Sequence, residues 1–241
     1  MTNYQYYLSF CVPVYNEERI ILSKVAEIQK GLEKSLKNKS YEILVVENGS
    51  TDNTLKELAK IKVKNVRVIT LKSKGHGLAM KTSILQAKGE NVLLTAIDLP
   101  FGFSDLQEML KLSNQFDIIF GSKAHPKSLI YSPLLRKISS GIYRFLLRLF
   151  FAVKIGDTQG TVFLKKERIL PILKNCDSEN AFFSAQLAIF AVKEKLRITE
   201  VPVRMKKEIL RKSKYNILGD GKTMFMSMLK TYLKIRTIDT K

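Results

Sequence analysis

The chain alternates between short apolar runs and longer segments in which apolar residues recur every three or four positions. The runs are rich in Val, Ile, Leu and aromatic residues, which is typical of strands buried on both faces of a sheet. The longer segments have the periodicity of amphipathic helices. In the first half, strands are predicted at residues 6–12, 41–47, 66–71, 91–97 and 116–121, and helices at residues 17–36, 53–61, 77–87 and 104–112.

Alternation of strands with helices predicts an α/β fold whose sheet is mostly parallel and flanked by helices. No internal repeat, low-complexity tract or linker divides the chain, so one domain is expected. Ligands of such sheets bind at the carboxyl ends of the strands, which makes the residues after each strand the candidates for a site. The second half is predicted to contain a long basic and apolar helix at 134–154, a strand at 160–165, helices at 167–175 and 182–194, a strand at 197–203 and a helix at 219–233.

The positive charge of the chain is large and unevenly distributed. The net charge is +19, and residues 121–241 carry 25 Lys and Arg against 9 Asp and Glu, compared with 16 against 13 in residues 1–120. Such a field favours a polyanionic partner, which is a nucleic acid, an anionic membrane or a phosphorylated substrate. The sequence has no zinc motif, no aromatic signature of an RNA-binding sheet and no basic helix with heptads, so we expect no nucleic acid partner.

Several features of the sequence bear on cellular location. Cys11 and Cys176 suggest neither a disulfide framework nor metal-ligand spacing, which favours a reducing compartment. The first seven residues lack the basic start and apolar stretch of a signal peptide. The most apolar run, residues 145–153, is broken by Arg148 and is shorter than the roughly 18 residues that a spanning helix needs. We therefore expect a cytosolic protein without a transmembrane helix.

Two distinctive turns follow the first two predicted strands, and each opens a predicted helix. They read Pro13-Val14-Tyr15-Asn16-Glu17-Glu18 and Glu47-Asn48-Gly49-Ser50-Thr51-Asp52-Asn53-Thr54. Short polar side chains and free backbone N–H groups at such turns suit the binding of a nucleotide. Taken alone, each turn is more simply explained by ordinary helix capping.

In their order and pairing, these motifs resemble the family 2 glycosyltransferases, and most closely the branch of dolichyl-phosphate mannose and polyprenyl-phosphate glucose synthases. The resemblance runs from about residue 10 to about residue 215. Besides the two turns it includes the segments Lys74-Gly75-His76-Gly77, Gly121-Ser122-Lys123, Asp157-Thr158-Gln159-Gly160, Glu200-Val201-Pro202-Val203 and Lys212-Ser213-Lys214.

The resemblance implies a GT-A-like nucleotide-sugar-binding fold in a single domain, residues 1–241. About residues 1–130 would bind the nucleotide sugar, and about residues 131–241 would form the acceptor and membrane-interface half. The implied activity is inverting transfer of a hexose from a nucleotide diphosphate sugar to a polyprenyl (dolichyl) phosphate, by a peripheral protein at the cytoplasmic face of a membrane. The alternative is a non-catalytic relative that binds nucleotide sugar or lipid phosphate without turnover.

On the donor side, the resemblance places Pro13, Tyr15 and Glu17 against the nucleoside. It also makes Glu47 an acceptor of hydrogen bonds from the base. The family more often has Asp at position 47 and a second Asp at position 48, so a preference for one base is not implied.

The glycines before the third predicted helix are further donor-binding candidates. Gly75 and Gly77 suit a turn whose backbone passes close to the donor, although a plain tight loop explains them equally well. A dinucleotide oxidoreductase is disfavoured, because this pair lacks a third glycine and follows the third strand rather than the first.

The turn after the fourth strand departs most from the family pattern. Family members have Asp-x-Asp there, which holds a divalent metal on the donor diphosphate, and this branch often adds a ligand two residues later. The three positions here are Ala96, Asp98 and Pro100. Asp98 is thus the remaining metal ligand and a catalytic candidate, with Mg²⁺ or Mn²⁺ held largely by the donor diphosphate. The open alternatives are that Lys212 and Lys214 neutralise the diphosphate without a metal, or that activity has been lost.

The acceptor side keeps more of the pattern. Lys123 stands where the family usually has Arg, and Arg136 and Ser140 match positions that bind the lipid phosphate. The resemblance therefore makes all three residues ligands of the acceptor phosphate, and Lys123 and Arg136 catalytic. Each of them alone is better explained as a solvated surface residue. Ser184 and Gln186 stand where relatives often have acidic residues, and the lack of a carboxylate base favours a phosphate acceptor, which is already ionised.

The predicted helix at 134–154 is more apolar than a surface helix requires, and four cations interrupt its apolar residues: Arg136, Lys137, Arg144 and Arg148. A helix that lies in the interface of an anionic membrane combines these properties. A core helix or a dimer seam is the alternative. The last predicted helix, rich in Met, Phe and Leu, is expected to lie beside it and to complete a lipid groove.

Overall fold

The computed structural model describes residues 4–130, 133–205 and 217–239, which form a seven-stranded sheet with helices on both faces. Every strand and helix predicted from the sequence is present, which confirms the α/β fold class. The elements in chain order are β1 (Tyr6–Val14), α1 (Ile21–Leu36), β2 (Tyr41–Glu47), α2 (Thr54–Leu58), β3 (Val66–Thr70), α3 (His76–Gln86), β4 (Gly89–Leu94), α4 (Ser104–Leu112), β5 (Ile118–Ser122), α5 (Leu134–Phe151), β6 (Val162–Lys165), α6 (Lys166–Leu173), α7 (Phe183–Lys193), β7 (Ile198–Pro202) and α8 (Ile217–Asp239).

The sheet brings the predicted polar turns together at one edge. Its strand order is β3-β2-β1-β4-β6-β5-β7, and neighbouring strands are parallel except at β6, which runs antiparallel to β4 and β5. Val14 pairs with Glu47, and Glu47 pairs with Thr70, so β1, β2 and β3 end level with one another. The turns that follow these strands are therefore neighbours at the carboxyl edge. The reversed direction of β6 does not follow from the sequence pattern.

Side chains of the central strands point alternately into two apolar layers. Phe10 and Val12 belong to the layer that contains α1 and α4, whereas Cys11 belongs to the layer that contains α3, α6 and α7. The strands read as continuous apolar runs because both faces of the sheet are covered. Leu147 of α5 and Met228 of α8 join the second layer, which anchors these two helices to the body of the protein.

Two predicted boundaries near the site are wrong by a few residues. Helix α1 begins at Ile21 instead of residue 17, because the N–H groups of Ile20 and Ile21 both donate to the Glu17 carbonyl and close a turn. Strand β4 ends at Leu94 instead of residue 97. Beyond it the Leu99 N–H donates to the Ala96 carbonyl over 3.1 Å, and Leu99 has a φ of +49°. Residues 96–99, where the sequence departs from the family pattern, therefore form a turn rather than the end of a strand.

An ion pair joins the two outermost strands on one side of the sheet. The Arg197 guanidinium donates to one oxygen of Asp117 over 2.9 Å, and the Arg197 backbone N–H donates to the other over 2.9 Å. Asp117 is buried, whereas the Arg197 side chain is exposed. Burial by itself would raise the pKa of Asp117, but the hydrogen bonds and charge of Arg197 outweigh it and hold that pKa below its ordinary value.

Candidate active site

A cavity of about 930 Å³ opens at the carboxyl edge of the sheet. Its walls come from the turn after β4, the residues after β5, the segment that leads into β6, and helices α5 and α8. Because β6 is antiparallel, its amino end lies at the same edge as the carboxyl ends of its neighbours, which places residues 156–161 in the wall. The cavity occupies the place where α/β sheets bind their ligands.

The two predicted nucleotide turns interlock beside this edge. The Asn16 N–H donates to the Ser50 hydroxyl over 3.0 Å, and the Asn16 side-chain oxygen accepts the Thr51 N–H over 2.8 Å. The Glu17 N–H donates to the Thr54 hydroxyl over 2.8 Å. These bonds join the turn of Pro13, Tyr15 and Glu17 to the turn of Glu47, so the structure brings these candidate residues together as one surface.

The buried side chain of Glu47 bonds within its own turn. Its carboxylate accepts the Ser50 N–H over 2.5 Å, a charge-assisted bond that shapes the turn. Sequence reasoning assigned this carboxylate to the nucleobase and missed its role in the turn. A hydrogen bond from a base to Glu47 stays a prediction.

A side-chain hydrogen bond ties the third predicted donor segment to the same surface. The side-chain oxygen of buried Asn48 accepts the Gly75 N–H over 2.8 Å. Nearby, the Lys74 ammonium lies 3.9 Å from the centroid of the Tyr15 ring, a cation–π contact that sequence reasoning did not identify. Position 48, where the family has Asp, thus still provides an oxygen that organises the donor side.

A close approach within the chain requires glycine at position 77. A Cβ atom there would lie 2.1 Å from the Ser178 carbonyl oxygen and 2.7 Å from the Asn180 carbonyl oxygen, and the Gly77 N–H donates to the Glu179 carbonyl over 2.7 Å. Position 77 is therefore restricted by the chain itself, at the loop before α7. Contact of Gly75 and Gly77 with the donor stays a prediction.

Lys123 lies in the cavity wall and is paired with Asp157. Its ammonium is 3.1 Å from the Asp157 carboxylate, which also accepts the Lys123 backbone N–H over 3.1 Å. The other Asp157 oxygen accepts the Gln159 N–H over 2.9 Å. Two of the predicted motifs, after β5 and before β6, thus meet at one ion pair.

Polar side chains with unmet hydrogen-bonding capacity line the same wall. The Thr158 hydroxyl and the Gln159 side-chain nitrogen are buried and have no hydrogen-bond partner among the described residues. An unsatisfied buried polar group costs about 1–3 kcal/mol, so such groups are uncommon away from binding sites. Their position in the wall supports this cavity as the place where a polar ligand binds.

Helix α5 presents to the cavity two cations that the resemblance did not indicate as site residues. Ser140 lines the cavity as expected, together with Lys137 and Arg144, whose spacing places all three on one face of the helix. Arg136 belongs to α5, but its side chain lies outside the described part of the structure. Lys212 and Lys214 also lie outside the described residues, so their predicted contact with the diphosphate stays a prediction.

The segment that replaces the acidic residues of relatives lies in the core. Gln186 is buried; its side chain donates to Asp177 over 2.8 Å and to the Thr231 hydroxyl of α8 over 2.9 Å, and accepts the Ser178 N–H over 2.8 Å. The Ser184 hydroxyl is directed to the Met80 sulfur over 3.5 Å. These contacts give the segment a structural role and explain why neutral residues are tolerated there.

The residues at the end of β4 do not fit a preformed metal centre. Ala96 and Pro100, the positions of two expected ligands, line the cavity without an oxygen in either side chain. Asp98, in the turn between them, supplies one carboxylate. Within residues 4–130, 133–205 and 217–239, no group of three His, Cys, Asp or Glu side chains could hold a metal ion. Asp98 as a metal ligand stays a prediction.

Helices α5 and α8 lie side by side and share an exposed apolar surface. The rings of Phe150 and Tyr232 are 5.4 Å apart, and Met228 of α8 lines the cavity. Outward-facing apolar residues include Phe145, 62% exposed, and Leu233, 57% exposed. The predicted pairing of the two helices is confirmed. Across the described segments, no helix has a stretch long and apolar enough to cross a bilayer.

Comparison with known proteins relates the chain to glycosyl transfer. Residues 9–171 match the family described as Glycosyl transferase family 2. The chain is 31% identical over 214 residues to the dolichyl-phosphate beta-glucosyltransferase of Homo sapiens, covering 81% of this chain and 66% of that protein. It is 25% identical over 221 residues to the enzyme of the same name from Saccharomyces cerevisiae, covering 82% and 66%. The chain thus spans slightly less than two thirds of the length of these relatives.

Solved structures show the same fold at low sequence identity. Glucosyl-3-phosphoglycerate synthase from Mycobacterium tuberculosis, in complex with Mn²⁺, uridine diphosphate and phosphoglyceric acid, has a TM-score of 0.67 at 18% identity, covering 95% of this chain and 78% of that chain. Mannosyl-3-phosphoglycerate synthase from Rubrobacter xylanophilus has a TM-score of 0.66 at 13% identity, covering 98% and 75%. These similarities establish the GT-A fold of the chain.

Proposed function

Because this chain belongs to glycosyl transferase family 2, we propose that it is an inverting glycosyltransferase that moves a hexose from a nucleoside diphosphate sugar to a polyprenyl phosphate. Glucose is the proposed sugar, since the relatives that match it are named dolichyl-phosphate beta-glucosyltransferases. Uridine diphosphate is the proposed leaving group, since it is bound in a structural neighbour. The observation that carries the proposal is a cavity whose wall includes both the turn after β4 and the cationic side of α5.

The donor half of the proposal rests on the interlocked turns. The nucleoside would lie against Tyr15 and the surface formed with Glu47, at the edge where β1, β2 and β3 end level. The Asn48 bond to Gly75 supports the same surface from the third segment. Held there, the donor would direct its sugar into the cavity beyond the end of β4.

The acceptor half rests on the charged and polar residues that line the cavity. Lys123 and Ser140 would bind the phosphate of the lipid, and Arg136 is proposed as a third ligand. A phosphate oxygen would attack the anomeric carbon as the bond from that carbon to the diphosphate breaks, which inverts the configuration. The attacking oxygen carries no proton at neutral pH, so the step needs no general base. The core position of Gln186 is consistent with this chemistry.

A polyprenyl chain requires an apolar path from the cavity to a membrane. Helices α5 and α8 combine exposed apolar residues with cations such as Arg148 and Lys230, which suits the interface of an anionic bilayer. We place the protein as a peripheral protein on the cytoplasmic face of a membrane. Residues 1–130 would serve the donor and residues 131–241 the acceptor within one domain.

Variants of Lys123 test the acceptor assignment. Lys123→Gln removes the charge while keeping a polar side chain, and it should raise KM for a short polyprenyl phosphate while leaving KM for UDP-glucose nearly unchanged. Lys127→Gln is the matched control, because Lys127 is exposed and lies outside the cavity wall. Equal effects of Lys123→Gln on the two KM values would contradict the assignment.

A non-catalytic relative is the second candidate, favoured by Ala96 and Pro100 at the expected metal-ligand positions. Such a protein would bind UDP-glucose or lipid phosphate and form no product. Measurement of donor binding and of product in the same sample separates the two candidates.

A further inference from the structure

The end of β4 and helix α5 line the same cavity and contribute different kinds of side chain to it. On one wall, Ala96 and Pro100 replace metal ligands with side chains that contain no oxygen. On the other wall, α5 places Lys137 and Arg144 two turns apart on one face, with Ser140 between them. The wall that would hold a metal has lost ligands, whereas the facing wall carries cations.

These two cations contribute positive charge that no ion pair among the described residues neutralises. Four charged side chains line the cavity in the described residues: Lys123, Lys137, Arg144 and Asp157. Lys123 and Asp157 form an ion pair at 3.1 Å and largely cancel. Neither Lys137 nor Arg144 forms an ion pair with a carboxylate of the described segments. Among the described residues that line the cavity, Lys137 and Arg144 therefore leave a surplus of two positive charges, equal to the charge of one divalent metal ion.

Cations in a cavity can perform the electrostatic task of a metal in this reaction. The diphosphate gains negative charge as its bond to the sugar breaks, and preorganised positive charge stabilises that change. Arginine suits this task because its planar guanidinium binds two phosphate oxygens at once, and lysine adds a point charge. Charges that are partly shielded from water by a cavity act more strongly than the same charges on an open surface.

We propose that Lys137 and Arg144 bind the phosphate oxygens of the nucleotide donor and stabilise the leaving diphosphate, so that the protein needs no divalent metal. This inference rests on the proposed function, because it takes the donor to be a nucleoside diphosphate sugar. It assigns to α5 a role on the donor as well as on the acceptor. It also explains why the loss of two metal ligands at the end of β4 is compatible with activity.

Binding of uridine diphosphate to the full chain tests the inference without requiring turnover. Calorimetric titration with UDP in excess EDTA and in Mn²⁺ should give Kd values that agree within about twofold. Arg144→Gln and Lys137→Gln should each weaken UDP binding about tenfold, as expected for the loss of a charge-assisted bond. Arg144→Lys should recover part of the affinity. Uridine, which has no phosphate, should bind all variants equally.

The matched control is Lys222→Gln, which removes an exposed cation of α8 that lies outside the cavity wall. This variant should bind UDP as the unchanged protein does. It also reports the effect of overall charge, since it lowers the net charge by the same amount as Lys137→Gln.

Three results would overturn the inference. The first is UDP binding that disappears in EDTA or tightens tenfold or more with Mn²⁺. The second is that Arg144→Gln and Lys137→Gln weaken the binding of a short isoprenyl phosphate and leave UDP binding unchanged, which would assign both side chains to the acceptor. The third is the absence of both UDP and uridine binding in the unchanged protein, which would contradict the proposed function as well. If uridine still binds but the affinity for UDP depends on Mn²⁺, this inference is overturned and the proposed function is not.

Discussion

The side-chain oxygen of Asn48 accepts the backbone N–H of Gly75 over 2.8 Å. Asn48 follows β2 and Gly75 immediately precedes α3, so this bond fixes the distance between two turns that are separated by a strand. Both residues are buried, so solvent water does not provide an alternative hydrogen-bond partner. The proposed donor surface therefore depends on Asn48, although the family more often has Asp at this position.

We expect Asn48→Ala to destabilise the protein by about 1–3 kcal/mol, because it leaves the buried Gly75 N–H without its acceptor. UDP binding should weaken as well, since the segment from Lys74 to Gly77 loses its anchor. Asn48→Asp is the matched control, because an Asp oxygen can accept the same N–H. Denaturant unfolding and calorimetric titration measure the two effects. Equal stability of Asn48→Ala and the unchanged protein would show that the bond contributes nothing.

Gly77→Ala should destabilise the protein by about 3 kcal/mol or more, because the added Cβ would overlap backbone carbonyl oxygens that cannot move independently. The overlap is with Ser178 at 2.1 Å and Asn180 at 2.7 Å. Gly221→Ala is the control, since a Cβ there meets no atom within 4 Å and lies on helix α8. It should leave stability unchanged or raise it by up to about 1 kcal/mol. Thermal or denaturant unfolding distinguishes the two, and similar stability of both variants would refute the close approach.

Replacing Phe145 and Leu149 with Ser should weaken binding to anionic vesicles about tenfold or more, because both side chains are 62% exposed and would enter the bilayer interface. Vesicle sedimentation at low and high salt measures the effect. The control is Leu85→Ser, a substitution of a residue that is 49% exposed on α3, away from this surface. If the double variant instead bound vesicles normally and changed the oligomeric state, the surface would be a subunit interface.

The Asp117–Arg197 pair should make stability depend on pH in the acid range. The pKa of Asp117 is lower in the folded protein than its ordinary value of about 3.9, so the ionised carboxylate stabilises the fold above that pH. This contribution is lost as the pH falls from about 4 through the folded pKa. Arg197→Met should lower stability at pH 7 only modestly, because the Arg197 side chain is 57% exposed. The difference in unfolding free energy between the unchanged protein and Arg197→Met should be smaller at pH 2.5 than at pH 7. A difference that is the same at both pH values would contradict the assignment.

The sequence predicts the strands and helices well, because a strand covered on both faces is a continuous apolar run, whereas apolar residues of an amphipathic helix recur every three or four positions. It does not predict the direction of β6, since an apolar run such as Val162–Lys165 reads the same in parallel and antiparallel sheets. Nor does it predict that β4 ends at Leu94, because Ile97 and Leu99 continue the apolar pattern while the backbone already turns.

Site residues that belong to a recognisable motif could be predicted from the sequence. Site residues on helix α5 could not, because their position depends on how the helix is oriented. Successive residues of a helix are 100° apart, so the rotation of the helix about its axis decides which of its residues face the cavity. Helix α5 is apolar on more than one side, and its sequence therefore does not reveal which cations face the cavity. The close approach at Gly77 depends on Ser178, a residue 101 positions away, and no local pattern could indicate it.

Glycolipid formation tests the central claim most directly. The full chain would be incubated with a short polyprenyl phosphate and with UDP-glucose, UDP-N-acetylglucosamine or GDP-mannose, with EDTA or with Mn²⁺, and the products measured by mass spectrometry. We predict polyprenyl phosphate glucose from UDP-glucose, with similar yields in EDTA and Mn²⁺. No product from any donor, while UDP-glucose still binds, would contradict the claim and identify the chain as a non-catalytic member of the family.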